Sequence, residues 1–353
     1  MVLSKLLERL VARQLMGYLS SFDLLPLQSG FRPGHSTENC GVAGTLWHTV
    51  AVVRGDVSAL VLLDMTAAFD TVNHAILLLR LQLTFDIGDT AHRWFQSYLP
   101  GCKQQVRRGS NRSSTTYVVC GVPQVSVLEP FLFVLYIVDL IQLVESDGLS
   151  PHRYADDVQV YGSCSPAAVD AFSTKISDCT DDIADWTRSN RLMLKPDKLE
   201  AIWCTTSRHQ HQLPAVTIPI TGVPITPARS VRDLGIYMTQ TCRCGRTSNE
   251  QCRGASLLFA ALRQLRQIRS AVPTATFQTL VVALVHSLLD YGNAVQLASQ
   301  HTWCADCSPV LNAAARLIYH LRLHDHITDV LATLHWLCVP ELVQYKIAVL
   351  TSF

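Results

Sequence analysis

His152-Arg153-Tyr154-Ala155-Asp156-Asp157-Val158-Gln159-Val160-Tyr161-Gly162 sets two adjacent carboxylates between short runs rich in β-branched and aromatic residues. The pattern predicts a β-hairpin with its acids at the turn. Neighbouring aspartates repel each other, so a pair drawn towards a core needs cations, and hard divalent ions with oxygen ligands suit it. An isolated Asp-Asp is more often a solvated turn. The upstream sequence separates the two readings.

Val57-Ser58-Ala59-Leu60-Val61-Leu62-Leu63 is a nearly unbroken apolar run that ends in Asp64, as a strand buried on both faces would read. Its carboxylate then emerges at the edge of the core. Asp70 follows, and helix-like sequence continues to Leu83. The length and continuity of Phe131 to Val138, closed by Asp139, suggest a buried helix, and periodicity alone leaves a strand open. Val169, Phe172, Ile176, Cys179, Ile183 and Trp186 alternate spacings of three and four, which predicts an amphipathic helix against a sheet. A strand over 199–204 returns beside it, prolines from Pro214 to Pro227 mark loops and hairpins, and the sequence beyond Cys244 is helical. The mixture is α+β, with a helical lobe attached.

At 353 residues, 48% hydrophobic and 16% charged, the chain is core-rich and long enough for two or three lobes, which excludes a disordered or fibrous class. A net charge of +1 hides local patches. Eight arginines against Asp233 and Glu250 lie between Arg229 and Arg269, and Lys103, Arg107, Arg108 and Arg112 share a polar loop. Such patches are what phosphate backbones require. Twelve cysteines without a signal peptide suggest reduced thiols and a nuclear or cytoplasmic protein. Met1 to Ser21 is an amphipathic helix, and no apolar run reaches membrane-span length. His301, Cys304 and Cys307, with Cys242 and Cys244 upstream, have metal-like spacing but no second clear pair, so scattered thiols are the simpler reading. Arg263, Arg266 and Arg269, three apart, form either a solvated face or a nucleic-acid contact.

Nine ordered segments carry a family resemblance: SKLLERLVARQL (4–15), QSGFRPGHSTE (28–38), LLDMTAAFDTVNHAIL (62–77), WFQSYLPGCKQQV (94–106), GVPQVSVLEPFLFVLYIVDL (121–140), YADDVQVY (154–161), DIADWTRSNRLMLKPDK (182–198), VRDLGIYM (231–238) and LNAAARLIYHLRLHDHIT with LHWL (311–337). Together they resemble the reverse transcriptase of non-LTR (LINE-type, jockey-like) retrotransposons. The resemblance implies a right-hand polymerase fold of partial fingers (1–56), a ferredoxin-like palm with a fingers insertion (57–244), and a helical thumb with a C-terminal helical tail (245–353). It implies RNA-directed DNA synthesis with two Mg²⁺ ions (Mn²⁺ as a substitute), an RNA template, a DNA primer and deoxynucleoside triphosphates. Asp64, Asp156 and Asp157 match the catalytic metal ligands. Phe69 matches the residue that crowds the sugar 2′ position, Gln124 one that touches the incoming nucleotide, Lys198 a lysine near the leaving pyrophosphate, and Arg32 a contact to the triphosphate. Two-metal transfer needs no protein nucleophile, so positioning and electrostatics supply most of the rate.

Departures from the family pattern accompany the match. Val125 and Glu129 stand at the second-motif glycines, Cys102 and Glu341 at two arginines, and the chain begins inside the fingers. A truncated, partly degenerate copy is the expectation. The alternative function is a catalytically inactive retrotransposon-derived remnant that at most binds nucleic acid or a protein partner.

Overall fold

The computed structural model describes residues 2–22, 27–31, 35–101, 103–206, 208–213, 217–220, 222–241, 248–291 and 300–351. The chain forms two compact units. The first comprises Met1–His35, Ser58–Ala201 and Pro214–Pro227; the second comprises Ser36–Val57, Ile202–Leu213 and Ala228–Phe353. The sequence boundaries at 56/57 and 244/245 do not coincide with this division. Segment 36–57 joins the C-terminal helices instead.

The first unit opens with α1 (Val2–Ser21), and β1 (Val57–Leu63) follows as its central strand. Val57, Ala59, Leu60, Val61 and Leu63 are all nearly inaccessible, so β1 is covered on both faces as its unbroken apolar run requires. Next come α3 (His74–Leu83), capped by the Asn73 side chain accepting from the Ile76 amide at 3.1 Å, and α4 (Asp89–Tyr98). An exposed segment of paired two-residue strands follows, β2 (Lys103–Gln104) with β5 (Thr116–Tyr117) and β3 (Arg107–Arg108) with β4 (Asn111–Arg112).

Buried helix α5 (Glu129–Tyr136) matches the apolar run, and α6 (Asp139–Ser146) continues from it. The C-terminal carbonyls of α5 would be orphaned in a core. Two buried arginines serve them: Arg80 donates to the Tyr136 carbonyl and Arg153 to the Ile137 carbonyl at 2.7 Å, cations at the negative end of the helix. Arg80 also bonds Asp139 at 2.7 Å and Asn190 at 2.8 Å.

The hairpin β6 (Ser150–Tyr154) and β7 (Asp157–Cys164) pairs antiparallel in the register Tyr154↔Asp157. A four-stranded sheet has the order β6-β7-β1-β8, and β8 (Glu200–Cys204) carries the chain into the second unit. α7 (Val169–Ser189) buries Val169, Phe172, Ile176, Cys179 and Ile183 of the predicted stripe and leaves its last member, Trp186, half-buried. β9 (Ile218–Ile220) and β10 (Val223–Ile225) form a small hairpin beside α7, where Ser177 donates to the Pro219 carbonyl at 2.7 Å.

The second unit contains α2 (Thr37–Val53), the hairpin β11 (Ser230–Asp233) and β12 (Ile236–Thr239), and a helical body. Its helices are α8 (Ser248–Ile268), α9 (Thr274–Val281), α10 (Ser287–Asp290), α11 (Gln300–Tyr319), α12 (Thr328–Thr333) and α13 (Val339–Thr351). Phe277, Val281, Val285, Val310, Leu311, Ala315 and Ile318 make its core. Lys346 joins Glu38 of α2 to Asp290, each at 2.7 Å, so α2 is bound into this body.

Arg269 is a correction to the idea of a three-arginine nucleic-acid face. It is buried over the Phe277 ring at 4.8 Å and donates to Thr274 and the Ile318 carbonyl, a packing role. Cys242 and Cys244 lie outside the described residues, as do the side chains of His301 and Cys304; Cys307 is buried. No described helix is long and apolar enough to cross a membrane.

Candidate active site

The predicted carboxylates lie in the first unit, near enough for Asp64 and Asp156 to act on the charge of Asp157. Asp64 leaves the end of β1, and Asp157 starts β7, its neighbour in the sheet. Asp156 and Ala155 form the intervening turn, with Ala155 in the left-handed region at φ 58°. The Gln28-Ser29-Gly30 stretch backs this hairpin instead of lying in an unattached loop. Gln28 bridges Arg153, the Ser29 amide donates to the Arg153 carbonyl at 3.0 Å, and Ser29 Oγ lies 2.9 Å from His152 Nε2. Arg32, expected to face a triphosphate, lies outside the described residues.

Two lysines close on Asp64. Lys195 Nζ sits 3.0 Å from Oδ1 and Lys198 Nζ 2.5 Å from Oδ2, while the Lys195 amide donates to the Asp64 carbonyl at 2.8 Å. The short 3₁₀ turn Pro196–Lys198 brings both ammonium groups to one carboxylate. Burial pushes the Asp64 carboxyl up, but hydrogen bonds and charge from Lys198 and Lys195 outweigh it and hold the group below the usual range. In return, the bond to Asp64 raises the Lys198 ammonium.

Asp157 behaves oppositely. Desolvation, then repulsion from Asp156 and Asp64, pushes its carboxyl up to about 6. The three acids therefore share one field with more negative charge than the two lysines offset. Among the described residues no three His, Cys, Asp or Glu side chains are gathered closely enough to hold a metal ion, and the two lysines engage both Asp64 oxygens. The donor set is nonetheless all carboxylate, without thiol or imidazole, and its surplus charge is what a hard divalent cation relieves.

Phe69 lies on the turn that follows Asp64, and Gln124 on the segment tied to that turn. Phe69, half-buried, packs on Phe133 with ring centroids 4.6 Å apart. The Gly121 amide donates to the Val72 carbonyl at 2.7 Å and the Val122 amide to the Phe69 carbonyl at 3.1 Å, which ties the GVPQ segment to the turn after Asp64. Gly121, at φ 85°, admits no side chain: a Cβ there would lie 2.8 Å from the Asp70 carbonyl oxygen. Gln124 donates to Asp70 Oδ1 at 2.7 Å.

Val125 follows at φ 61°, a conformation that glycine adopts freely and a β-branched residue resists. Helix α1 holds this strained loop, with Lys5 donating to the Val125 carbonyl and Glu8 Oε2 accepting from the Val127 amide at 2.8 Å. Glu129 opens α5, where an acid suits the positive helix end, and its amide is capped by Ser126 Oγ at 2.9 Å. Burial still pushes its carboxyl up.

Sequence reasoning missed Lys195, Lys5 and Glu8. Lys195 stands three residues before Lys198 across a Pro-Asp turn, a spacing that could have marked two cations on one side. Lys5 and Glu8 read as an ordinary solvated pair on the polar face of α1.

A family model described as "Reverse transcriptase (RNA-dependent DNA polymerase)" matches residues 1–238. The chain is 28% identical over 298 residues to a probable RNA-directed DNA polymerase from transposon BS of Drosophila melanogaster, covering 80% of this chain and 31% of that protein. It is 29% identical over 243 residues to a probable RNA-directed DNA polymerase from transposon X-element of the same fly, covering 67% and 25%. To the RNA-directed DNA polymerase from mobile element jockey of Drosophila funebris it is 25% identical, covering 68% and 26%. It thus spans about a quarter to a third of the length of these relatives.

Among solved structures, apo telomerase from Candida tropicalis matches with TM-score 0.52 at 12% identity, covering 97% of this chain and 55% of that one. Telomerase from Candida albicans bound to a telomeric RNA fragment matches with TM-score 0.50 at 11% identity, covering 97% and 58%. At such identities the likeness speaks to the fold, which is an α+β polymerase fold.

Proposed function

Because this chain belongs to the reverse transcriptase family, with jockey-like non-LTR retrotransposon polymerases among its relatives, we propose that its first unit is an RNA-directed DNA polymerase site. The observation that carries the reading is the grouping of Asp64, Asp156 and Asp157 at one end of the sheet, where burial first, and then repulsion from Asp156 and Asp64, raise Asp157. RNA is the template, a DNA strand the primer, and deoxynucleoside triphosphates the substrates.

Reverse transcriptases use divalent metal ions, and the carboxylates fit Mg²⁺, with Asp64 and Asp156 as the residues that would hold two ions and Asp157 as their support. Bound Mg²⁺ supplies charge stabilisation for the attacking and leaving oxygens of an in-line phosphoryl transfer. The chain's own residues position the reactants, which is most of what such a reaction asks of a protein. Phe69 crowds the sugar, so Phe69→Val raises ribonucleotide incorporation relative to deoxynucleotide. Gln124 supports the nascent pair, and Lys198, exposed beside Asp64, turns from that carboxylate to the leaving phosphates.

A second reading, an inactive remnant, draws on Val125 and its left-handed backbone beside Gln124. Primer extension on an RNA template with Mg²⁺ separates the two, with Asp156→Ala as the blank. The polymerase reading expects weak extension that disappears in the blank and grows in Val125→Gly. Extension absent from both the native chain and Val125→Gly favours the remnant.

A further inference from the structure

Residues 103–117 form one projecting β-arm. Lys103↔Tyr117 and Gln104↔Thr116 pair at its base, and Arg107↔Arg112 and Arg108↔Asn111 at its tip. The Ser113 amide donates to the Val106 carbonyl at 2.9 Å between the two tiers, and Gly109, at φ 62°, turns the tip. Every residue from 105 to 117 is exposed, so the arm has no buried face of its own.

Its charge is one-sided. The arm holds four cations and no carboxylate. Arg107 and Arg112 stand directly opposite each other, a placement that destabilises a strand pair unless an anion lies across it. None of the ion pairs among the described residues engages Lys103, Arg107, Arg108 or Arg112. Gln105, Ser110, Asn111, Ser113, Ser114 and Thr115 supply neutral hydrogen-bonding groups around these cations. An acidic protein partner would call for an apolar platform, and the arm offers only Val106 and Tyr117. The Tyr117 ring lies under Lys103 at 5.1 Å.

The arm also leads somewhere. A cleft of about 740 Å³ runs from its base, lined by Lys103, Tyr117, Gly121, Pro123, Gln124 and Asp70.

We propose that this arm is a nucleic-acid clamp. Arg107 and Arg112 straddle one phosphodiester, Arg108 and Lys103 take neighbouring phosphates, and the strand is directed along the cleft towards Gln124. That the strand is the template rests on the polymerase reading; that the arm binds phosphodiesters does not.

The test is fluorescence anisotropy on the whole chain, without metal or nucleotide, using a fluorescein-labelled 20-mer of single-stranded RNA and a 20-base-pair RNA–DNA hybrid across a salt series. Arg107→Ala/Arg112→Ala should weaken RNA binding roughly tenfold or more at moderate salt. It should also flatten the slope of log affinity against log salt by about 0.7, one lost phosphate contact on a single strand. Arg107→Lys/Arg112→Lys should keep the slope and lose part of the affinity, because lysine lacks the bidentate fork. Arg188→Ala, an exposed charge on α7, should change neither. Unchanged affinity and slope in the double alanine variant, with an unchanged circular dichroism melt, overturns the proposal. So does equal displacement of RNA by polyglutamate, which would make the arm an acidic-peptide site. Binding intact in Asp156→Ala but lost in the arm variant supports the clamp even where no extension occurs, so the two readings fail separately.

Discussion

A Cβ built on Gly30 would lie 2.4 Å from the backbone nitrogen of Ala155, closer than real side chains approach. The QSG segment and the Tyr-Ala-Asp-Asp hairpin are therefore one fitted pair, although more than a hundred residues separate them. The clash is with backbone, so no rotamer change relieves it. Gly30→Ala should shift the hairpin, lower stability by about 1–3 kcal/mol as overpacking does, and cut any primer extension by on the order of 10²-fold through displaced carboxylates. Thermal melting and extension rates check it; a variant that matches the native chain in both sinks the fitted-pair account.

His152 supplies the pH prediction. Burial, then the charges of His35 and Arg153, lower its imidazole to about 4, against an ordinary value of 6.5. A folded value below the unfolded one means that unfolding takes up a proton. The contribution is complete above pH 6.5 and is lost as pH falls towards 4. Within that window stability should fall by up to about 1.4 kcal/mol per pH unit from this residue. His152→Gln should flatten the slope of denaturant-derived stability between pH 6.5 and 5 by up to that amount. An unaltered slope would place the titration elsewhere.

Much of this was legible in the sequence because the signals were local. The unbroken run of β1, the three-and-four spacing of α7 and the acid pair at a hairpin turn each follow from periodicity or turn chemistry. The unread parts are long-range. That α2 binds the C-terminal body depends on Lys346 meeting Glu38, and that two arginines cap α5 depends on Arg80 and Arg153 arriving from distant segments. At the site, the acids were readable as types, whereas the lysine pair on Asp64 exists only once the Pro196 turn sets both side chains to one carboxylate. Arg269 was misplaced because helical spacing gives a side but not what covers it.

Lys195 and Lys198 each engage one oxygen of Asp64, so a cation that enters competes with them for its charge. Lys195→Ala removes one competitor from a partly exposed pair, worth about 0.5–1 kcal/mol. Mn²⁺ should then bind roughly two- to fivefold more tightly, read by calorimetry or water-proton relaxation in the absence of nucleotide. The Asp64 carboxyl should rise towards its ordinary range, having lost one of the charges that lower it. Weaker Mn²⁺ binding in the variant would mean that Lys195 supports the site instead of competing for it.

Val125 is 83% exposed, so its methyls meet little protein, and the cost of this residue lies in its backbone at φ 61°. A left-handed conformation costs an L-residue about 1–2 kcal/mol, and more for a β-branched one. Lys5 and Glu8 hold the loop from α1 against that strain, and Gln124 is the residue next to it. Val125→Gly should keep the same backbone path and release the strain, less the entropy that glycine loses on folding. The net gain should be about 1 kcal/mol, a rise of roughly 2–4 °C in Tm for a unit of this size. Extension should increase with it, because Gln124 is no longer carried on a strained neighbour. Losing the hold of α1 also lets the strained loop relax, so Glu8→Ala should destabilise the native chain less than it destabilises Val125→Gly, with a coupling of about 0.5–1 kcal/mol in a double-mutant cycle. Denaturant titrations of the four proteins give the cycle. Purely additive effects, or a lower Tm in Val125→Gly, would show that the loop stores no strain and that α1 serves only to pack.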